Sequence, residues 1–282
     1  MRIKSQSDCF ISLFEHAGKV VFLTSMTVFA LLPIFWTVMT SFKNRGDVFG
    51  MVFKFTPQFD SYKKIFSREG AQILQGLVNS IKVASLNVVI VILIGTMAAY
   101  ALSRLHFKGK NLVLLGVLAS RLMPPVVVIL PLFLFASKFG RLDSVFTLAC
   151  LHAVFNLPIC IWMLKSFFDT IPVELEEAVL IDGGTRTTCV LKILLPLAKA
   201  GISTTALFAF VFSWNEFLFA LVFTQKYSKT APIMLANATY GEAQIYWSDM
   251  AALATIIMIP AILLAVFGQR FFVKGLTHGS SK

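Results

Sequence analysis

Long apolar runs separated by shorter polar segments make up most of this sequence. Six of the runs reach about 20 residues, the length at which a helix crosses the hydrocarbon core of a bilayer. The predicted spans cover residues 20–40, 79–103, 112–135, 142–164, 198–224 and 249–273. The pattern therefore predicts an all-α polytopic membrane protein, with residues 1–282 forming a single transmembrane domain.

The first run, at residues 20–40, is too long for the apolar core of a signal peptide. The polar residues before it contain no small-residue cleavage site after their charges. We therefore expect an uncleaved first span. Six spans would place both termini on the same side of the membrane.

Prolines interrupt the third and fourth runs. Pro124, Pro125 and Pro131 lie within the third run, so we expect its backbone to be kinked and the freed carbonyls to be satisfied by neighbours or water. In the fourth run we expect the helix to break near Asn156 and Pro158. The third run is therefore not predicted to be a plain lipid-facing helix.

The polar segment at residues 165–197, between the fourth and fifth runs, predicts a helical hairpin. Its first helix should begin near Pro172, because proline is tolerated at the first helical position and the glutamates that follow suit the positive end of the helix dipole. Glu176 and Glu177 are expected to turn away from the apolar face. The residues of that face, at the i, i+3, i+4 spacing, are Leu175, Ala178 and Val179.

A glycine pair is expected to end that helix. Gly183 and Gly184 can adopt the positive φ that reverses a chain, and Thr185 then suits the N-cap of a second helix. We expect the second helix to end before Pro196, since the residue before a proline avoids the helical conformation. The segment is thus predicted to be a helix, glycine, helix hairpin facing water.

The hairpin also carries a spaced signature: Glu177-Ala178-Val179, three residues, Gly183, nine residues, Ile193, one residue, Leu195-Pro196. This order resembles the EAA loop of membrane subunits of bacterial ATP-binding-cassette importers, with Val179 where that family usually has alanine. In that family the loop is cytoplasmic, and its first helix docks into a cleft of a separate ATPase subunit. An amphipathic surface hairpin that only joins two spans is the alternative; it accounts for the helices but not for the spacing.

The resemblance implies which residues couple this chain to an ATPase. They are Glu176, Glu177, Ala178, Asp182, Gly183, Ile193, Leu195 and Pro196. Other segments point to the carbohydrate-uptake branch, similar to the smaller maltose-type permease subunit. These segments are Arg121-Leu-Met-Pro-Pro125, Phe155-Asn-Leu-Pro158, Ser213-Trp-Asn-Glu-Phe217 and the run from Gln269 to Leu276. The tail after Leu276 departs from the family pattern, which puts any tail contact with the ATPase in doubt.

The branch implies a non-catalytic permease subunit in the bacterial inner membrane that carries a sugar, a polyol or an oligosaccharide. Its implied partners are two ATP-binding-cassette ATPase subunits, a second related permease subunit and a periplasmic or lipid-anchored substrate-binding protein. A self-contained secondary transporter is the alternative function. It predicts internal inverted symmetry and ion-coordinating acids at the midplane, and the sequence has neither.

Composition agrees with a membrane protein, since 57% of the residues are hydrophobic, 14% are charged and the mean hydropathy is +0.80. The net charge of +11 is scattered over short loops, so we assign it to lipid contact and orientation and predict no nucleic-acid partner. The four cysteines form no CxxC pair and no metal-ligand spacing with the histidines. We predict neither a metal nor a cofactor, and the absence of a phosphate-loop motif predicts no ATP hydrolysis by this chain.

The distribution of lysine and arginine gives the orientation only a thin margin. The N-terminus, the 104–111 turn, the 165–199 hairpin and the tail counted from Arg270 hold 13, and the loops on the opposite side hold 10. Six of those ten lie in the long first loop, and short loops weigh more in the positive-inside rule. We therefore place the hairpin and both termini in the cytoplasm.

Arg121 in the third predicted span and Glu216 in the fifth are charged residues inside a span. A charge in a span costs about 3 kcal/mol on insertion scales, so it usually faces a cavity or a partner. Trp214 and Asn215 beside Glu216 could stack and hydrogen-bond against a sugar ring, which makes these four residues a candidate translocation path. The alternative for Arg121 is structural, as a partner of a carboxylate or of the carbonyls freed by the prolines at 124 and 125.

Overall fold

The computed structural model of this protein describes residues 6–44, 46–50, 53–68, 70–240 and 247–279. These residues form helices and no strand, as predicted. The helices are α1 Gln6–Ser41, α2 Asp60–Ile65, α3 Ala71–Arg104, α4 Lys110–Ser120, α5 Pro125–Lys138, α6 Val145–Asp169, α7 Glu174–Ile181, α8 Arg186–Thr188, α9 Leu195–Leu197, α10 Lys199–Trp214, α11 Leu218–Phe223, α12 Ala231–Tyr240 and α13 Trp247–Gly279, with a π-helical segment Cys189–Leu194 between α8 and α9. Residues 241–246 of the predicted outer loop and the tail at 280–282 lie outside the described residues.

Four helices are long and apolar enough to cross a membrane alone: α1, α3, α6 and α13. Two bent pairs are apolar enough to form one span each, α4 with α5 at 87° and Arg186–Leu197 with α10 at 79°. The part of the chain that the structure describes thus holds four to six candidate spans. The six-span arrangement stays a prediction.

The kink predicted in the third run is a full break. α4 ends at Ser120, and α5 begins at Pro125, whose missing N–H costs no hydrogen bond at the first helical position. Pro124 precedes it in an extended conformation, with φ −60° and ψ 128°. The two prolines therefore start a new helix in a new direction.

The break predicted near Asn156 and Pro158 in the fourth run is wrong. α6 is one helix from Val145 to Asp169 with Pro158 inside it. A proline within a helix leaves a carbonyl of the preceding turn without its N–H donor. The Arg121 guanidinium donates a hydrogen bond to the Phe155 carbonyl, three residues before Pro158, so a side chain from another segment serves that turn.

The centre of the bundle is formed by α3 packed along α6, with α10 against both. α3 and α6 approach so closely at Gly95 that a Cβ there would lie 3.3 Å from Leu164. One buried polar link joins all three helices: the Asn87 amide donates to the Ala209 carbonyl on α10 at 2.9 Å and accepts from Asn156 on α6 at 3.3 Å. Buried amides paired in this way fix the register of the helices.

The turn between α5 and α6 fastens the loop that follows α11. The Asp143 carboxylate accepts backbone N–H hydrogen bonds of 2.9–3.1 Å from the four consecutive residues 225–228. From the other side, the Asn79 amide on α3 donates to the carbonyls of Tyr227 and Lys229 at 2.8 and 3.0 Å. Burial alone would raise the pKa of Asp143, but the four N–H donors outweigh it and hold the pKa well below its ordinary value.

We expect Asp143→Asn to release this loop, because a neutral amide has one acceptor oxygen, whereas the carboxylate has two and carries a negative charge. The amides of residues 225–228 should exchange hydrogen at least about ten-fold faster at neutral pH, since a ten-fold change corresponds to about 1.4 kcal/mol. The folded-state pKa is depressed, so the stabilisation is present above pH 3.8, the ordinary value, and is lost as the pH falls below it. Hydrogen exchange read by mass spectrometry checks this.

Asp47→Asn is the matched control, because it removes the same charge from a different loop, where the backbone N–H of Asp47 donates to the Asn44 carbonyl at 3.0 Å. That variant should exchange at 225–228 as the unaltered chain does. Unchanged exchange in Asp143→Asn would contradict the role assigned to this carboxylate.

Candidate functional site

The hairpin between α6 and α10 has the predicted helix, glycine, helix form at its tip. α7 begins at Glu174, two residues after Pro172. Gly183 has φ +83°, a conformation that side chains with a Cβ rarely adopt. Thr185 is the N-cap of α8, and its hydroxyl accepts from the Thr188 N–H at 3.3 Å, as predicted. A Cβ on Gly184 would lie 2.5 Å from a methyl carbon of Val179, so the turn also requires glycine for space.

The expected end of the second helix before Pro196 is wrong. The helical path continues from α8 through the π-helical segment Cys189–Leu194 into α9, which ends at Leu197. Pro196 occupies the first turn of α9, where its missing N–H is tolerated, and so does not stop the chain. The bend of 79° follows at Ala198, between α9 and α10.

α7 is anchored to α3 by a buried ion pair. Glu176 is 5% exposed, and its carboxylate lies 2.5 Å from Nε of Arg104, the last residue of α3. Arg104 also donates to the Ile171 carbonyl at 2.7 Å, and the Tyr100 hydroxyl donates to Glu176 at 3.3 Å. Two charges that satisfy each other and the neighbouring polar groups can be buried together. The acid therefore fixes the position of α7 on the bundle.

The face of α7 that points away from the bundle is apolar. Leu175 and Ala178 of the predicted apolar face are exposed, and Ile181 is 85% exposed. Glu177 and Asp182 are exposed beside them. The helix thus buries an acid and exposes leucine and isoleucine, the reverse of an ordinary surface helix. An exposed apolar patch rimmed by acids is typical of a protein-binding surface.

The remaining predicted coupling residues lie behind this patch. Ile193 and Leu195 are half-buried, and Pro196 is exposed. Sequence reasoning missed Arg104, Tyr100 and the buried Cys189, whose sulfur faces the Glu176 carbonyl at 3.7 Å. The signal was weak, because Arg104 is one of several basic residues in a short turn and its partner is 72 residues away.

Arg121 lies at the break between α4 and α5. Its partner is a backbone carbonyl, as the structural alternative predicted, but that carbonyl lies in a different helix. Its guanidinium donates to the Phe155 carbonyl on α6 and lies 5.0 Å from the centre of the Phe212 ring. The expected partners were carbonyls freed by Pro124 and Pro125, whereas the carbonyl it binds precedes Pro158. Arg121 and Glu216 do not pair with each other; each has its own partners.

Glu216 lies in the break between α10 and α11 and caps the start of α11. Its carboxylate accepts from the backbone N–H groups of Phe219 and Ala220 at 2.8 and 3.2 Å. Nε2 of the buried His152 on α6 approaches the same carboxylate at 3.0 Å, and Nδ1 contacts the Ser213 hydroxyl at 2.7 Å. Glu216 therefore joins α6, α10 and α11 through one polar cluster.

The two residues before Glu216 face in different directions. Trp214 is buried, and its indole N–H donates to the Ile257 carbonyl on α13 at 3.2 Å. Asn215 is exposed, and its amide donates to the Val211 carbonyl on its own helix at 2.9 Å. Of the four residues proposed for the translocation path, Asn215 thus offers the most accessible side chain.

A cavity of about 820 Å³ adjoins this break. Phe217, which follows Glu216, lines it together with Trp36 and Trp247, and the hydroxyl-bearing residues Thr37 and Thr40 also reach it. Aromatic walls with a few polar groups are typical of small-molecule sites. Sequence reasoning did not single out Trp36 or Trp247, since tryptophans near span ends ordinarily mark the membrane interface.

Comparison with known proteins places this architecture among transport proteins. Residues 91–278 match the family described as "Binding-protein-dependent transport system inner membrane component". The chain is 37% identical to the trehalose transport system permease protein SugB of Mycobacterium tuberculosis, covering 92% of this chain and 95% of that protein. It is 32% identical to the trehalose/maltose transport system permease protein MalG of Thermococcus litoralis, covering 91% and 93%.

A solved structure with a similar fold comes from a bacterial ABC transporter involved in the import of the acidic polysaccharide alginate. The TM-score is 0.78 at 21% sequence identity, and the match covers 96% of this chain and all of the other. At that identity the likeness concerns the fold.

Removing one partner of the buried ion pair should loosen α7. Glu176→Ala leaves the Arg104 guanidinium buried and without its charge partner, which costs about 3–5 kcal/mol. We expect amides of residues 174–181 to exchange hydrogen faster by two orders of magnitude or more, with α6 unchanged. Glu174→Ala, which removes an exposed acid two residues earlier in the same helix, is the control and should have little effect. Equal exchange in the two variants would show that the ion pair does not position α7.

Proposed function

This chain belongs to the family of binding-protein-dependent transport system inner membrane components, and from that membership we propose that it is the permease subunit of an ATP-driven importer of a sugar or a related polyol or oligosaccharide. The observation that carries the proposal is the exposed apolar tip of α7 on a helix held to the bundle by the Arg104–Glu176 ion pair. A surface of this kind needs a partner. A self-contained secondary transporter does not need such a docking surface, and secondary transport is not the function of this family.

We assign ATP hydrolysis to two separate ATPase subunits, one of which receives α7. Leu175, Ala178 and Ile181 would enter an apolar cleft, and Glu177 and Asp182 would contact polar groups at its rim. Burial of the three apolar side chains would stabilise docking by about 25 cal/mol for each Å² removed from water. Because Glu176 of α7 is paired with the last residue of α3, a displacement of the docked ATPase would move α3 together with α7.

The remaining partners follow from the same membership. A second, related permease subunit would complete the pore as a heterodimer, and it would cover part of the apolar side chains that α1, α4 and α5 expose in the single chain. A periplasmic or lipid-anchored substrate-binding protein would deliver the sugar to the end of the bundle remote from α7. Lipid would cover the rest. In this arrangement α7 and both termini are cytoplasmic, and six spans cross the inner membrane.

The substrate class rests on the relatives. Their names include trehalose, maltose and sulfoquinovosyl glycerol, the last from a permease protein of Agrobacterium fabrum that is 34% identical over 91% of this chain. The aromatic cavity beside Phe217 has the lining that a sugar ring requires. We place the translocation path along this cavity and the break at Asn215 and Glu216, with Trp214 supporting the break from behind and Arg121 bracing α6.

The path can be tested through its most accessible residue. Asn215→Ala removes a polar group that bonds only to its own helix, so uptake should fall several-fold while the complex assembles normally. Glu216→Ala and Arg121→Ala should reduce both uptake and thermal stability, because each leaves buried backbone groups unsatisfied, at about 1–3 kcal/mol for each group. Uptake into proteoliposomes and the melting temperature of the purified complex are the two measurements. Normal uptake in all three variants would remove these residues from the path.

Coupling can be tested at the tip of the hairpin. Gly183→Val forces a β-branched residue to φ +83°, a cost of about 1–2 kcal/mol that misdirects α7. We expect loss of docking or loss of the link between ATP hydrolysis and transport. Glu177→Ala should weaken the polar rim contacts and leave the membrane helices folded.

The measurements are substrate-stimulated ATP hydrolysis and uptake by the reconstituted complex. Gly109→Val serves as the control, since Gly109 also has positive φ, +84°, but lies in the turn before α4. Normal stimulation and uptake in both hairpin variants would mean that the hairpin only connects two helices.

A further inference from the structure

A lysine at the end of the bundle remote from α7 is buried without a hydrogen-bond partner. Lys43 follows α1 and is 3% exposed, and among the described residues its Nζ has no hydrogen-bond acceptor. Its backbone is fixed on both sides: the Lys43 N–H donates to the Thr40 carbonyl at 3.1 Å, and the Gln58 N–H donates to the Phe42 carbonyl at 2.8 Å. The side chain is therefore directed inward by the fold.

Two aromatic rings stabilise this ammonium only in part. Nζ lies 4.6 Å from the centre of the Trp36 ring and 5.7 Å from that of Phe55. Cation–π contacts attract the positive charge, but the rings do not accept hydrogen bonds from its three N–H groups as an oxygen would. A buried ammonium without an acceptor is costly. The geometry calls for an oxygen supplied from outside the described chain.

Lys43 opens into a polar pocket of about 220 Å³ between the end of α1, α2 and the start of α13. The residues lining it with Lys43 are Asn44, Gln58, Asp60, Ser61, Lys64, Ser248 and Asp249. The pocket thus offers amide and hydroxyl donors around the ammonium, in a volume that accommodates a small polar group and the atoms next to it.

The acids of the pocket are already engaged. Asp249 accepts from the Ser61 hydroxyl at 2.7 Å and from Lys64 Nζ at 2.9 Å. Asp60 pairs with Lys63 at 3.2 Å. Lys63, just outside the pocket, thus neutralises Asp60, and Lys64 neutralises Asp249, which leaves the charge on Lys43 without an acid partner among the described residues.

We propose that this pocket is a binding site for a carboxylate, with Lys43 as its counter-ion and the amides of Asn44 and Gln58 as further donors. One negative charge balances the charge on Lys43, and the planar oxygens of a carboxylate can accept from the ammonium and an amide together.

The carboxylate has two possible sources. It is either a glutamate or aspartate side chain of the docked substrate-binding protein, a case that rests on the function proposed above, or a free carboxylate such as a uronic acid. Lys43→Gln removes the charge and keeps a polar side chain, and Lys43→Arg keeps the charge. Lys54→Gln is the matched control, since Lys54 is an exposed lysine of the same loop.

The experiment uses the complete transporter complex in nanodiscs of phosphatidylcholine. In one arm, the affinity of the fluorescently labelled substrate-binding protein is measured; Lys43→Gln should weaken it at least ten-fold if the protein supplies the carboxylate, with Lys43→Arg closer to the unaltered complex. In the other arm, the melting temperature of the complex is measured with added sodium glucuronate or glucose; glucuronate alone should raise it, and only when Lys43 is present, if the ligand is free.

Either result supports the site and identifies its source. Unchanged affinity in Lys43→Gln together with a melting temperature that glucuronate does not raise would overturn the proposal. Co-purification of the ATPase and stimulated ATP hydrolysis by the Lys54→Gln complex report separately on the proposed function. A negative result at Lys43 in an active complex therefore counts against the carboxylate site alone.

Discussion

A polar backbone group inside a membrane-embedded bundle must find a partner within the protein, because the hydrocarbon offers none. Where the helices of this chain stay intact, the helix itself meets that requirement. Where a helix contains a proline or breaks, a charged side chain binds the nearby backbone: Arg121 binds a carbonyl in the turn before Pro158, and Glu216 binds the N–H groups that open α11.

Side-chain hydrogen bonds to backbone groups also hold the loop at the far end of the bundle. Asp143 binds its N–H groups, and Asn79 binds its carbonyls, so both sides of one short loop are satisfied by side chains from different helices. The few acids and amides of this apolar chain thus act largely as substitutes for backbone partners. These side chains hold the backbone in place, and any contact that they make with a transported molecule must leave those hydrogen bonds intact.

Much of this could be predicted from local sequence. The apolar runs gave the long helices, and the positive φ of Gly183 and the cap at Thr185 follow from residue chemistry at single positions. Pro158 and Pro196 were misjudged because proline was treated as a stop; one sits inside a continuous helix, and the other at a helical position where no N–H is needed. The partner of Glu176 could not be predicted, because it depends on how two distant helices pack. Sequence alone predicted only that this acid turns away from the apolar face of α7.

One helix connects the two ends of the molecule. Asn79, about two turns into α3, holds the loop at residues 227–229, and Arg104, the last residue of α3, holds α7. At 1.5 Å per residue its 34 residues measure about 50 Å. A rigid rod of that length pivoting about its midpoint by about 5° moves its two ends by about 2 Å in opposite directions. A small rocking of α3 would therefore act as a lever, turning a shift at the α7 end into an opposite shift at the loop without any rearrangement of the helix in between.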